Sequence, residues 1–217
     1  MPTSHREALG KNHWETLREL TPIRFRPAQS ELLRQNQAGT CVMLLETGRV
    51  MVTATGPLGR EQLIAVRESG EILGEMAVLT DIKRSATVRT LTSCQIHVIP
   101  ADEFRAFVAE HGLLQPLLQH SYGRIRESEQ SRLELATGSV ALRLACLLTR
   151  LAGTASADAP ARISLGQEAF AQLIGASRNA VGNALKEWRD RGWLTTTPSG
   201  GITVTDIAAL YDHATTP

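Results

Sequence analysis

Cysteine is scarce in this chain: Cys41, Cys94 and Cys146 are the only three among 217 residues, far apart and each set among apolar neighbours. An odd, scattered set without a CxxC pair makes no disulfide framework, and no histidine pairs with another at metal-ligand spacing. Buried free thiols and no metal are therefore expected. Long hydrophobic runs are missing as well. No stretch approaches the roughly 18 apolar residues that cross a bilayer, and Met1 to Arg6 leads into polar sequence instead of a secretory apolar segment. The expected location is the cytoplasm, with no membrane partner. Charge of one sign is lacking too. The formal net charge is +1, so composition announces no nucleic-acid partner, and any such partner has to be argued from local geometry. With 42% hydrophobic and 21% charged residues, the chain is of ordinary globular composition and long enough for two cores. Residues 138–217 hold no glycine-rich phosphate loop followed by lysine, no metal cluster and no Ser/His/Asp constellation, so an enzyme is not expected.

What is present is concentrated at residues 74–88. An apolar approach, Ile72-Leu73, runs into Gly74-Glu75-Met76-Ala77, a strand entering a short helical turn whose free N–H groups suit an anion. Arg84 adds a permanent positive charge with a planar fork of donors, and Ser85 a hydroxyl and a backbone N–H, a set that orients one phosphate. Glu75, when ionised, accepts hydrogen bonds from a sugar hydroxyl. Phosphate with ribose means a nucleotide. Small Ala86 lets the backbone approach it, and Thr87-Val88 resumes as a strand. The alternative is an exposed Glu75–Arg84 ion pair of little energetic weight.

Around this segment the spacing predicts an amphipathic helix over 12–20, with Trp14, Leu17 and Leu20 inward. Short strands follow at 31–35, 42–46, 50–54, 61–66 and 92–99, separated by Gly39, Gly48, Gly56 to Gly59 and Gly70. That pattern reads as a β-sandwich or jelly roll. A helix opens at Pro100, with Asp102 and Glu103 in its first turn. Beyond it, Leu118, Tyr122, Ile125, Glu129, Arg132 and Ala136 alternate at four and three residues, the seam of a coiled-coil dimer. A stripe packed on its own sandwich is the other reading, and the charges in the seam argue against it. Ala136 to Ser139 breaks the pattern as a hinge, Val140 to Leu151 is again helical, and Thr154 to Ala161 is a small polar loop.

The last stretch carries a second motif. Ser164 and Gln167 are spaced as a capping box, starting a helix near Leu165 that turns Phe170, Leu173 and Ile174 inward and stops at Gly175. After Gly175-Ala176-Ser177 a second helix puts Val181, Ala184, Leu185 and Trp188 on one face and Arg178, Asn179, Gly182, Asn183 and Lys186 on the other. Small Ala171 suits a close crossing of the two. Two short helices with a tight turn form a helix-turn-helix, and the hairpin signal around Pro198 to Gly201 adds a wing.

In this order, a sandwich with a Gly74-Glu75 and Arg84-Ser85-Ala86 cassette, a long helix and a winged helix-turn-helix, the whole chain resembles the cyclic-AMP receptor and fumarate and nitrate reductase regulator (Crp/Fnr) superfamily of bacterial transcription factors. The resemblance implies an α+β chain of three parts: a cyclic nucleotide-binding β-sandwich over 1–110, a dimerisation helix over 111–137 and a winged helix-turn-helix over 138–217. It implies a cyclic nucleotide-responsive, DNA-binding regulator working as a homodimer. The effector site would be Gly74, Glu75, Met76, Ala77, Arg84, Ser85 and Ala86. Ser128 and Glu129 stand where the cyclic-AMP receptor has a threonine and a serine that read adenine. Cyclic AMP is the first expectation. Glu129, which only accepts hydrogen bonds, keeps cyclic GMP as the alternative, and it pairs equally well with Arg132 across the seam. An iron-sulfur cluster is not expected, since no cysteine precedes Cys41, and haem is not expected because the intact Arg84-Ser85 argues for a nucleotide over axial ligands such as Pro2 and His97. On the DNA side, Arg178 suits guanine, while Asn179 and Asn183 suit adenine. Gln167, Ser177 and Lys186 would contact phosphate. The implied partners are a palindromic double-stranded operator, a second copy of the chain and RNA polymerase.

Overall fold

The computed structural model describes residues 4–57, 59, 61–152, 161–163, 165–197 and 201–215, with backbone alone at 62, 127–137, 161, 214 and 215. The chain divides into two compact units, 1–128 and 129–217. In the first, α1 (His5–Leu9) and α2 (Lys11–Glu19) precede β1 (Arg24–Arg26), β2 (Glu31–Leu33), β3 (Cys41–Thr47), β4 (Arg49–Thr55), β5 (Glu61–Glu68) and β6 (Glu71–Leu73). Then come α3 (Glu75–Thr80), β7 (Thr87–Thr90), β8 (Cys94–Pro100), α4 (Ala101–Glu110) and α5 (Leu114–Thr137).

Two antiparallel sheets, ordered β1-β8-β3-β6 and β2-β7-β4-β5, make the sandwich. The run Val42-Met43-Leu44-Leu45 explains how. Met43 lies opposite Leu73 and Leu45 opposite Ile96, and these four pack with Leu33, Val50 and Val88 of the other sheet. Val42 pairs with Ile99 and Leu44 with Ile72, facing the helices through Trp14, Leu17, Val78, Phe104, Phe107 and Leu117. A strand covered on both faces must be apolar throughout, because successive side chains point to opposite faces.

Several elements differ from the sequence reading. The helix α1, unforeseen, begins with a capping box between Ser4 and Glu7 and is tied to the sheet by Arg6 N–H donating to Gly70 O at 2.9 Å. The edge strand β1 carries charge at both ends and was also unforeseen. Trp14 and Leu17 are buried as expected, but Leu20, just past the end of α2, is exposed. The strand β2 stops at Leu33, and the long helix starts at Leu114. Of the three free thiols Cys94 and Cys146 are buried, whereas Cys41 is half-buried.

The second unit holds α6 (Val140–Ala152), β9 (Ala161–Ile163), α7 (Gln167–Ile174), α8 (Arg178–Asp190), β10 (Leu194–Thr196), β11 (Ile202–Val204) and α9 (Ile207–Thr215). Ser139 starts α6, its hydroxyl accepting the Leu142 N–H at 3.1 Å. The helix then packs on α7, α8 and α9. The expected hairpin is present as β10 and β11, and Ala161, read as the end of a loop, instead pairs with Val204 as part of a third strand. The C-terminal helix α9 was unforeseen. The helix α7 begins at Gln167 with Gly166 as N-cap, two residues later than expected; Ser164 lies outside the described residues.

Candidate ligand site and nucleic-acid interface

Gly74 ends β6 in the left-handed region, φ 83°, and caps α3. A Cβ there would stand 2.1 Å from Arg84 Nη1 and 2.9 Å from Leu33 Cδ1. Gly74 thus leaves a cradle that the guanidinium fills. Arg84 is buried, its Nη2 donating to Cys41 O at 2.7 Å and its Nη1 to Gly74 O at 3.4 Å. The sequence suggested a side chain held out for an anion or an exposed ion pair with Glu75. Instead the charge lies inside, held by two carbonyls. Ser85 is exposed and Ala86 half-buried. Gly39 closes the opposite side: a Cβ on it would be 2.8 Å from the backbone of Ala77. Gly74→Ala is expected to lower stability by about 1–2 kcal/mol, from the left-handed backbone alone, and to displace Arg84. A denaturant midpoint equal to that of the parent protein would contradict this.

Glu75 is buried too, and it is not alone. Its Oε1 lies 3.5 Å from Arg124 Nη1 of α5 and 3.7 Å from His5 Nε2 of α1. Next to it, Glu71 Oε2 is 2.5 Å from His5 Nδ1 and 3.5 Å from His120 Nε2, and is also in contact with Arg124 Nη2. The His5 and His120 rings lie 4.0 Å apart. The helix α3 is held further by Ser121 donating to Met76 Sδ at 3.2 Å and Arg105 donating to Val78 O at 2.9 Å. His5, Glu71, His120 and Arg124 were all missed by sequence reasoning. His5, Glu71 and the α5 pair lie far apart along the chain; the one local signal is the i, i+4 spacing of His120 and Arg124 on α5, which puts them on one helix face.

Burial alone would push the Glu71 carboxyl up, but its close contacts with the His120 and His5 imidazoles and the charge of Arg124 outweigh it and hold the group well below the ordinary carboxylate range. Burial likewise pushes His5 below the ordinary imidazole range, against the pull of Glu71 and Glu75. Both shifts have one sign. On acidification the unfolded chain takes up protons, at His5 from about pH 6.5 and at Glu71 from about pH 4.3, that the folded chain resists. Stability conferred by this cluster is therefore complete above about pH 6.5 and falls below it. Urea midpoints at neutral and mildly acid pH check the sign; a rise on acidification would contradict it.

On α5, Leu114, Leu118, Tyr122 and Ile125 are each at least half exposed. Among the described residues the stripe is thus left largely uncovered by its own sandwich. The backbone at Ser128, Glu129 and Arg132 is helical, while their side chains lie outside the described residues.

In the second unit, α7 ends at Gly175, φ 62°, and the Ala176 N–H returns to Ala171 O at 2.9 Å. Arg143 of α6 donates to Ile174 O at 2.7 Å, neutralising the carbonyl end of α7. Ser177 caps α8 by accepting the Ala180 N–H at 3.2 Å. From that start Val181, Leu185 and Trp188 are buried. Arg178, Asn179, Asn183 and Lys186 are all exposed. Gln167, half-buried at the start of α7, lies against α8, with its Oε1 3.4 Å from where a Gly182 Cβ would be. The predicted set is thus brought to one helix pair.

Comparison with known proteins agrees with both units. The cyclic nucleotide-binding domain family matches residues 23–111, and the Crp-like helix-turn-helix domain family matches residues 142–213. A CRP-like cAMP-activated global transcriptional regulator of Mycobacterium tuberculosis is 28% identical over 183 residues, covering 82% of this chain and 81% of that protein. The cAMP-activated global transcriptional regulator CRP of Haemophilus influenzae is 28% identical over 173 residues, covering 77% of each. Among solved structures, the c-di-GMP responsive global regulator CLP of Xanthomonas campestris superposes with a TM-score of 0.73 at 20% identity, over 90% of this chain and 99% of that one. FixK2 of Bradyrhizobium japonicum gives 0.76 at 15% identity, over 91% and 98%. At such identities the likeness to the solved structures is one of fold. No helix among the described residues is long and apolar enough to cross a membrane.

Proposed function

Because the chain belongs to the Crp/Fnr superfamily of transcription regulators and joins a cyclic nucleotide-binding domain to a Crp-like helix-turn-helix, we propose that it is a cytoplasmic homodimer gated by cyclic AMP. The observation that carries the gating is Arg84, seated in the cradle left by Gly74. Its guanidinium, with the N–H groups at the start of α3 and the Ser85 hydroxyl, receives the cyclic phosphate, and Glu75 receives the ribose hydroxyl. Glu75 is held meanwhile by Arg124 of α5. A sugar that engages Glu75 must therefore rearrange a contact to the long helix, which is the differential interaction that coupling requires. Cyclic AMP is the first candidate because the relatives from M. tuberculosis and H. influenzae are named as activated by it. Cyclic GMP stays the alternative, with Ser128 and Glu129 as the base-reading positions.

The exposed stripe Leu114, Leu118, Tyr122 and Ile125 supports a parallel pairing with a second copy, which would bury these side chains in a coiled-coil seam. Two recognition helices would then meet half-sites about one helical turn apart on a palindromic operator. Arg178, Asn179 and Asn183 read bases, and Gln167, Ser177 and Lys186 hold phosphates. RNA polymerase is the further partner this reading implies. Calorimetry with cyclic AMP and cyclic GMP side by side, paired with operator binding at saturating nucleotide, tests the gating. Equal operator affinity with and without nucleotide would refute it. Arg178→Ala is expected to cost about 1–3 kcal/mol at one operator position and to relax sequence preference there; selection from a randomised site reads this out.

A further inference from the structure

We propose that His5, Glu71 and His120 form a binding site for a transition-metal dication of the zinc class. Three elements bring them together, α1, β6 and α5, and one ligand atom from each lies within 4.8 Å of the others. A tetrahedral ion with bonds of about 2.0–2.1 Å sets its ligands about 3.3 Å apart. The observed separations from Glu71 Oε2, 2.5 Å to His5 Nδ1 and 3.5 Å to His120 Nε2, bracket that value. Two imidazoles and one carboxylate are the donor set that zinc and its neighbours take with an open fourth position, whereas calcium and magnesium prefer oxygen alone.

Two further observations point to a cation. The His120 side chain is 3% exposed, and its Nε2, 3.5 Å from Glu71 Oε2, makes no well-aligned hydrogen bond among the described residues. A polar atom buried without a partner is costly. Second, a positive group already stands where the lone pairs converge: Arg124 Nη2 touches Glu71 Oε2 and lies 3.2 Å from His5 Nδ1. The guanidinium fills the place of a cation between an imidazole and a carboxylate. It can leave. Its side chain is 18% exposed, and a long flexible stem carries the charge to solvent. An entering dication would replace it, exchanging one positive centre for another among Glu71 and the two imidazoles. The Ile72 N–H, 3.2 Å from the same Nδ1, would have to give up that acceptor. Glu75 Oε1, 3.7 Å from His5 Nε2, would stay just outside the first ring of ligands.

The test uses tag-free full-length protein stripped of metal by a chelator and then titrated with Zn²⁺, or with Co²⁺ for its visible spectrum. Expected are one ion per chain, a rise in melting temperature and the absorption of tetrahedral cobalt. The histidine side-chain nitrogen resonances of the unsubstituted protein should shift for two imidazoles, which reports ligation without any variant. His120→Gln should weaken binding by about a hundredfold or more, since even second-shell losses reach that scale. Arg124→Gln, by removing the competing charge, should tighten it. Absence of saturable binding, histidine resonances that do not move, or stoichiometric binding unaffected by His120→Gln overturns the proposal. Metal binding itself is the readout, so the outcome stands apart from whether the protein recognises cyclic nucleotide.

Discussion

Arg84→Leu is expected to lower affinity for cyclic nucleotide by about a hundredfold or more. Charge-assisted hydrogen bonds contribute about 1.5–3 kcal/mol each, and the fork supplies two to a phosphate, so their combined loss corresponds to at least two decades in Kd. The buried setting adds a second effect. Leucine leaves Cys41 O and Gly74 O without their donor, which costs about 1–3 kcal/mol of stability in its own right. The two losses are separable: melting without nucleotide reports the second, and calorimetric titration the first. Arg84→Lys should fall between, because an ammonium keeps the charge and loses the planar fork. Undiminished nucleotide affinity in the leucine variant would sink the assignment of the phosphate site. A DNA affinity that also stayed unchanged would mark a ligand-independent regulator.

The other large effect lies in the DNA-binding unit. Trp188 is fully buried on the inner face of α8, beside Val181 and Leu185. Its indole N–H has no hydrogen-bond partner among the described residues, so its contribution is packing. Trp188→Ala should cost about 3–5 kcal/mol. In a unit of this size each kcal/mol moves the midpoint by about 4–8 °C, so the C-terminal transition should fall by more than about ten degrees. Operator binding should go with it, because Arg178, Asn179, Asn183 and Lys186 are presented by the opposite face of that helix. Scanning calorimetry checks this: a C-terminal transition within a degree or two of the parent would show that α8 does not depend on its buried face. Trp188→Phe, which retains most of the volume, should cost far less.

Much of this architecture was legible in the sequence because it is governed by local pattern. Glycine turns separated the strands, the 3.6-residue period gave α8 both its faces, and the Ile72 to Ala77 string marked the step from β6 into α3. What escaped has a shared cause. The helix α1 has only five residues, and its buried anchor is His5, whose partner Glu71 lies on β6, so hydropathy does not announce it; the Ser4-x-x-Glu7 capping-box spacing was the one local signal, and it was not read. The strand β1 owes its existence to pairing with β8, since Phe25 is exposed and flanked by arginines. The cluster of His5, Glu71, Glu75, His120 and Arg124 is likewise a product of tertiary contact. So is the direction of Arg84: the sequence offered an anion-binding arginine, and only the fold shows that two carbonyls hold it inside. The exposed stripe on α5 was legible through Leu118, Tyr122 and Ile125, yet its extension to Leu114 was not read.

The double-sided strand β3 has a dynamic consequence. Since Met43 and Leu45 belong to the interior between the sheets while Val42 and Leu44 belong to the layer beneath the helices, neither layer can open while the other stays shut. Its backbone amides are expected to exchange with solvent only when the whole unit unfolds, making β3 a gauge of global stability. The neighbouring strand β6 pairs with β3 and leads directly into Gly74 and α3. Free energy released by a ligand at the cassette should therefore appear as slower exchange at Val42 to Leu45.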